Sequence, residues 1–504
     1  MAGGGLLPPL PRWVWPLCWL LLAVAIGTLA RMPGPAPLDP DEHAAVLYFD
    51  RLVAGERLEE PLLSSPKPLL TVVHGLAWRV GHDWRLLEAA TVAAFALALV
   101  CLARAAGRLG GLPAAVAAVL AVAGYGPLII QVSHANSVVF ALAGWSVALD
   151  ALTRSSRARG GPGAAWAVAA GALFAAALAR SEGWLLLPFA AGYGIVAWWR
   201  GERRAALLLL PLAAPLVWLA HDWLLTGDPL FTVRVPGRYT DLVSGRDVLP
   251  PGEWLALLAR RYGADPHLLA LAAVGTVWLF RRRAWAWLVG LGVAGVGVPT
   301  LLGIEAWRGT YLSLRYLHPT DVALRLAAAF GAAALVTALA VRLTGRGPEA
   351  GRTALLAGLA ALLVMQVACW PLAPVDPAVD ATLDRETRLS ANTATAVAVL
   401  APVADEPGTI VTSSGPQRVR VALELGLPLG RVRDLFLARL RAPLDRALQG
   451  SAAVFHDADG DRPVRRYTPL TTTTPTRLGA VDLVPLHTDP DRGLYVHRVE
   501  EPGG

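Results

Sequence analysis

Up to about residue 371 of this 504-residue chain, apolar positions gather into long runs bounded by Arg, Gly or Pro. A bilayer's hydrocarbon core takes about 20 helical residues to cross. The runs therefore predict membrane-spanning helices over approximately 13–30, 84–104, 112–130, 136–153, 163–180, 183–199, 204–225, 266–280, 284–304, 320–342 and 353–371. Between the first two lies a shorter stretch, opened by Pro66-Lys67-Pro68 and interrupted by His74 and Arg79. Too short and too polar to span, it predicts an amphipathic or re-entrant helix over 66–83 at the outer surface. After Trp370 the apolar runs shorten and Asp, Thr and Pro become common. Strand-like GTIVTSS, SAAVFHD and LYVHRVE alternate there with helical periods at about 378–402 and 416–444. The expected organisation is a polytopic α-helical membrane domain of about eleven helices over 1–371, with a first outer loop at 31–83. A small α/β domain over 372–504 follows it.

Composition agrees: 55% of residues are hydrophobic, 16% are charged, and the mean hydropathy is +0.48, a membrane profile rather than a soluble one. The net charge of +7 comes from short basic clusters between apolar runs, which points to topology and away from nucleic acid. Lys and Arg favour the cytoplasmic side of short loops. Arg12, Arg104 and Arg108, Arg154 to Arg159, Arg200 to Arg204, Arg281 to Arg283, and Arg342 to Arg352 all fall on one side of the eleven-helix map. This predicts a multi-pass protein of the cell membrane with a cytoplasmic N-terminus and an extracytoplasmic C-terminal domain. Residues 13–30 carry no clear cleavage signal and are expected to be a retained span. Cys18, Cys101 and Cys369 lie in apolar runs, without metal-ligand or disulfide spacing.

Unusual polar residues concentrate in the segments expected outside. Leu38-Asp39-Pro40-Asp41-Glu42-His43 follows the first span directly and precedes an amphipathic run. Acidic residues there suit a helix N-terminus, and they sit where the outer membrane surface meets the first long loop. Lys67 suits an interfacial lysine with its stem in lipid. Arg180 and Glu182 sit at a corner between two runs, where they are expected to pair. Arg308 and Arg315 share a short outer loop against the positive-inside tendency; phosphate binding is one reason, pairing with Glu305 another. His74, His134 and His318 are expected to be neutral, hydrogen-bonded structural residues.

In order, these segments resemble the GT-C superfamily of glycosyltransferases, above all the family 39 type that includes protein O-mannosyltransferases and lipid A aminoarabinose transferases. Asp41-Glu42 matches the Asp-Glu pair that opens the first outer loop there, and the resemblance makes Asp41 the catalytic base. Lys67-Pro68-Leu69-Leu70 looks like the family's Lys-Pro-Pro-Leu, with Leu69 in place of the second proline. Ala179-Arg180-Ser181-Glu182-Gly183 is similar to an Arg-x-Glu-Gly turn, Gly227-Asp228-Pro229-Leu230 to a turn after a Trp-bearing span (here Trp223), and Arg315-Tyr316 to an Arg-Tyr entry. The matches run over approximately 38–320. They imply an inverting hexosyl- or pentosyltransferase that uses a polyprenyl-phosphate-linked sugar, with a glycan, lipid or protein acceptor. Asp41 and Glu42 would be catalytic; Lys67, Arg308, Arg315, Tyr316, Arg180 and Glu182 would bind substrate. No cofactor is assigned, and a divalent metal near Asp39, Asp41, Glu42 and His43 is left open. Competing expectations are a secondary transporter or flippase, which would carry polar groups near the bilayer midplane, and a noncatalytic membrane scaffold.

Overall fold

The computed structural model describes residues 40–58, 65–155, 163–234, 251–307, 314–344, 377–412, 415–435, 443–457 and 468–501. Two surface helices come first, α1 (Pro40–Ala54) and α2 (Pro68–Gly81). The helical domain continues with α3 (Trp84–Ala123), α4 (Gly126–Ser133), α5 (Ser137–Ser155), α6 (Gly163–Ala179), α7 (Leu187–Trp199) and α8 (Ala214–Thr226). It closes with α9 (Pro251–Gly263), α10 (Pro266–Arg281), α11 (Trp285–Gly292), α12 (Val298–Trp307) and α13 (His318–Thr344). Short 3₁₀ segments at Ser181–Leu186 and Arg203–Ala213 lead into α7 and α8, and a π turn, Val293–Gly297, joins α11 to α12.

Five helical stretches among the described residues are long and apolar enough to cross a bilayer, and a sixth if α9 and α10, bent by 87°, count as one. The chain is accordingly a multi-pass membrane protein. The runs at 13–30 and 353–371 lie outside the described residues. The runs at 84–104 and 112–130 fall in α3, which is not straight. Forty helical residues would extend about 60 Å, yet Trp84 at its start donates from Nε1 to Glu424 Oε1 of the C-terminal domain at 2.9 Å. The α4 helix just beyond its end also packs on that domain, at Pro377–Leu400. The reversal is at Gly111 (φ 70°, ψ −159°), a left-handed backbone that glycine adopts without Cβ strain, and Pro113 follows. The second run ends sooner than expected because the chain leaves the helix at Gly124-Tyr125 before restarting as α4.

Small residues let these helices approach. Where α10 crosses α13, a Cβ at Gly275 would lie 1.9 Å from the Ala327 carbonyl oxygen, and one at Gly331 would lie 2.0 Å from that of Leu271. The core around this crossing holds Leu102, Leu128, Leu279, Trp287, Leu326 and Phe330, with the Trp287 and Phe330 rings edge to face at 4.7 Å. Charged groups are paired at the helix ends. At the α3 reversal, the carboxylate of Asp150 is met by Arg108 at 2.5 Å and Arg154 at 2.7 Å. At the opposite end, Asp321 at the start of α13 accepts from Arg261 (2.7 Å), Tyr262 (3.0 Å) and Tyr125, while Tyr125 Oη lies 3.1 Å from His318 Nδ1. His318 is thus the hydrogen-bonded residue expected of it.

The C-terminal domain is a six-stranded sheet in the order β2-β1-β3-β6-β5-β4. Its elements are α14 (Pro377–Leu400), β1 (Thr409–Thr412), α15 (Gly415–Glu424), β2 (Val432–Asp434), α16 (Leu444–Leu448), β3 (Ser451–Asp457), β4 (Thr476–Leu478), β5 (Val481–Asp489) and β6 (Leu494–Glu500). The β2, β1 and β3 strands are parallel; β6, β5 and β4 extend the sheet antiparallel from β3. All three strand-like segments expected from sequence are strands. The single helix expected over 416–444 is not there: it stops at Glu424, since Gly426 turns left-handed (φ +64°) and Pro428 follows, and the chain then re-enters the sheet as β2. The expected boundary near 371 lies outside the described residues.

One face of this sheet does more than close its own core. Ile410, Val419, Val421, Val432, Phe455 and Val496 form one apolar cluster with Ala44, Leu47 and Tyr48 of α1 and Leu225 of α8. The C-terminal domain therefore holds the first surface helix against the membrane domain.

Candidate active site

Asp41 and Glu42 lie in the first turn of α1, behind Pro40, where the helix dipole favours carboxylates. The backbone is placed there; the side chains of Asp41, Glu42 and Arg315, and all of Asp39 and Arg308, lie outside the described residues. His43 follows, buried, its ring edge to face with Trp84 at 4.4 Å. Trp84 also stacks at 4.2 Å on Trp78 of α2. His43 thus ties the start of α1 to Trp84, and Ala44, Leu47 and Tyr48 tie the helix to the sheet domain.

Lys67 sits just ahead of α2 in extended backbone (φ −114°, ψ 111°), with Pro68 at the first helical position and its carbonyl accepting from Thr71 N at 2.8 Å. Its side chain is 9% exposed, unusual for a lysine. The α2 helix packs on α6, and α6 ends at Ala179, one residue before Arg180. Arg180 is buried and clasps Glu182 with two bonds, Nη2 to Oε1 at 2.5 Å and Nε to Oε2 at 3.2 Å. Its Nη1 reaches Ser137 Oγ at 3.4 Å, and its guanidinium carbon lies 5.9 Å from the Tyr316 ring centroid, within cation–π range.

Electrostatics ties Lys67 to this pair. Burial alone would raise the Glu182 carboxyl, but Arg180 and then Lys67 bring it below the ordinary glutamate value. His74, fully buried on α2, is held at about 3, by burial first and by the Lys67 charge second. The structure therefore brings Lys67, Arg180, Glu182 and Tyr316 together from segments far apart in sequence. It adds Ser137, Thr71 and His74, which sequence reasoning left out. His74 is not the hydrogen-bonded histidine expected: neither ring nitrogen has a hydrogen-bond partner, nor does Thr71 Oγ1. The available signal was the spacing 67, 71, 74, one face of a helix. Among the described residues no group of three or more His, Cys, Asp or Glu is placed to hold a metal ion.

No family model matches the chain, and no curated protein matches it by sequence. Solved structures do match it. ArnT from Cupriavidus metallidurans bound to undecaprenyl phosphate superposes with a TM-score of 0.55 at 16% identity, covering 96% of this chain and 98% of that one. The oligosaccharyltransferase AglB from Archaeoglobus fulgidus, in complex with an inhibitory peptide and a dolichol-phosphate, gives a TM-score of 0.53 at 11% identity over 89% of this chain and 70% of that one. The chain shares its fold with these two transferase structures. A further structure of the Archaeoglobus fulgidus enzyme, tethered to an acceptor peptide, covers 88% of this chain and 69% of its own at a TM-score of 0.51 and 11% identity. At these identities the likeness carries the fold and no residue's role.

Proposed function

We propose that the chain is an inverting glycosyltransferase that moves a sugar from a polyprenyl-phosphate donor to an acceptor hydroxyl at the outer membrane surface. The observation that carries this reading is the buried Lys67–Arg180–Glu182 group, in a fold shared with the ArnT and AglB structures. A buried lysine and a buried arginine balanced by one carboxylate suit an anion at the membrane interface. Two solved structures of the same fold, ArnT and AglB, hold undecaprenyl phosphate and a dolichol-phosphate.

In this reading the acceptor oxygen attacks the anomeric carbon as the bond from that carbon to the phosphate oxygen breaks. Asp41 takes the acceptor's proton, and Glu42 shapes the same turn. Phosphate leaves without a general acid because Lys67, Arg315 and Arg308 stabilise its charge. Arg180 and Glu182 position this cationic wall, with Tyr316 on the guanidinium face. One displacement inverts the anomeric configuration. The acceptor is a glycan, lipid or protein.

Eleven spans, a cytoplasmic N-terminus and an extracytoplasmic domain over 372–504 complete the reading. The arginine clusters support that orientation, and Arg104, Arg108, Arg154 and Asp150 meet at one end of the bundle. A transporter or flippase is disfavoured by the ion pairs' location: those of Asp150 and Asp321 lie at helix ends rather than midway along them. Donor titrations test the assignment. Lys67→Ala and Arg315→Ala should each raise the donor KM about tenfold or more, with Arg315→Lys restoring part of the loss. Wild-type donor dependence in both alanine variants would remove the cationic wall from the mechanism.

A further inference from the structure

Along the face of α2 that begins at Lys67, the next two polar residues are Thr71 and His74, four and seven positions on. Both are fully buried. Thr71 Oγ1, His74 Nδ1 and His74 Nε2 make no hydrogen bond in the structure. Buried polar groups are almost always satisfied, since an unmade bond forfeits the group's hydration with nothing in return. Three unsatisfied atoms on one helix face, next to a buried lysine, thus define a demand for a ligand. Among the described residues the ring packed on His74 is Phe140, edge to face at 5.8 Å, and it offers no hydrogen-bond partner.

The chemistry of these atoms selects the ligand class. A threonine hydroxyl donates and accepts, and a neutral imidazole has one N–H donor and one bare nitrogen acceptor. Neutral is the form His74 holds here, its proton affinity lowered by burial and by Lys67. The phosphodiester of a lipid-linked sugar offers only acceptors, and Lys67 suits its single charge. Groups that donate and accept in turn are hydroxyls.

We propose that Thr71 and His74 form a hydroxyl-recognition subsite, in which the lysine end of α2 takes the phosphate and these two residues hydrogen-bond hydroxyls of a sugar. The seven residues from Lys67 to His74 span about 10 Å of helix, the size of a phosphate with an attached sugar ring. The inference rests on the proposed function and assigns it a specificity element. Both residues are binding residues; neither moves the reacting proton.

Direct binding tests this on the full-length protein in lipid nanodiscs, with undecaprenyl phosphate and undecaprenyl-phosphate-linked hexoses and pentoses as probes. Wild type should bind at least one sugar-bearing lipid more tightly than undecaprenyl phosphate. Thr71→Val and His74→Phe should each lose about tenfold of that preference, the usual effect of deleting a buried hydrogen-bond partner. Their affinity for undecaprenyl phosphate should not change. The ligand-free variants should melt no lower than wild type, because each removes an unmet polar group, whereas residues that merely support the fold would lose stability. His74→Asn, which keeps a donor and an acceptor, should retain part of the preference. If the lost contacts are to the donor, the KM for the donor rises in transfer assays; if to an acceptor sugar, the acceptor KM rises and the lipid preference is unchanged. Full preference and unchanged KM for both substrates in Thr71→Val and His74→Phe would assign these atoms to ordered water and overturn the subsite. Failure of wild type to bind any of these lipids would overturn the proposed function itself.

Discussion

Replacing Glu182 with glutamine removes one negative charge from the clasp on Arg180 and almost nothing else. The carboxylate now receives Nε and Nη2 of the guanidinium at 3.2 and 2.5 Å. An amide can accept only one of these bonds and turns its NH₂ toward the other. The side chains of Arg180 and Glu182 are 9% and 14% exposed, so water cannot take over the lost pairing. Ser137 Oγ, at 3.4 Å, and the Tyr316 face are weak substitutes for a counter-ion. Removing one member of a buried pair costs about 3–5 kcal/mol, mostly the penalty of the charge left behind. Lys67 loses the same counter-charge, which places the loss at the upper end. Chemical denaturation in nanodiscs, followed by tryptophan fluorescence, measures it. The double variant Arg180→Met with Glu182→Gln should be more stable than Glu182→Gln alone, because it carries no stranded guanidinium. The carboxyl is held below its ordinary value, so the pair's stabilisation is complete above about pH 4.5 and is lost as pH falls through the lower folded-state value. A Glu182→Gln protein within 0.5 kcal/mol of wild type, or a double variant less stable than the single, would refute a buried, charge-balanced pair.

Gly275→Ala should destabilise the bundle by about 1–3 kcal/mol or more, since its Cβ would meet the Ala327 carbonyl oxygen at 1.9 Å; a wild-type melting temperature would mean that α10 and α13 do not cross there. His74 refuses, when folded, a proton that the unfolded chain accepts near pH 6.5, so its burial carries no proton-linked penalty above that pH and destabilises increasingly on acidification toward pH 3. Between pH 7.5 and 5, wild type should lose about 2 kcal/mol that His74→Phe does not lose; equal pH dependence in the two proteins would contradict this.

Much of the fold was legible because the spans are apolar runs of bilayer length, a signal independent of neighbouring elements. The strands at 409–412, 451–457 and 494–500 were legible for a similar reason: they are short β-rich segments bounded by turn residues. Three-residue β2 and β4 carry too little pattern to read, and their register comes from the strands beside them. The expected helix at 416–444 failed because helical spacing on both sides of Leu425-Gly426-Leu427-Pro428 outweighed two breakers. At the site, Lys67, Arg180 and Glu182 could each be picked as an odd charge beside an apolar run. That they meet is a property of α2 packing on α6, which no local pattern encodes. His74 was misread because a lone histidine on an apolar face usually has a partner in the fold. The packing of α1 into the sheet domain was invisible for the same reason: it joins residues 44–48 to residues 410–496.

Incubating the purified protein with polyprenyl-phosphate-linked sugars and candidate acceptors, and measuring the free polyprenyl phosphate released, decides whether this chain transfers sugar. Release should require both acceptor and protein, the product should carry the inverted anomeric configuration, and Asp41→Asn should lower the rate by about a hundredfold or more while donor binding survives. Movement of intact sugar-lipid across proteoliposomes without release, or full transfer by a well-folded Asp41→Asn protein, would contradict the account: the first makes the protein a transporter, and the second removes the acidic turn from catalysis.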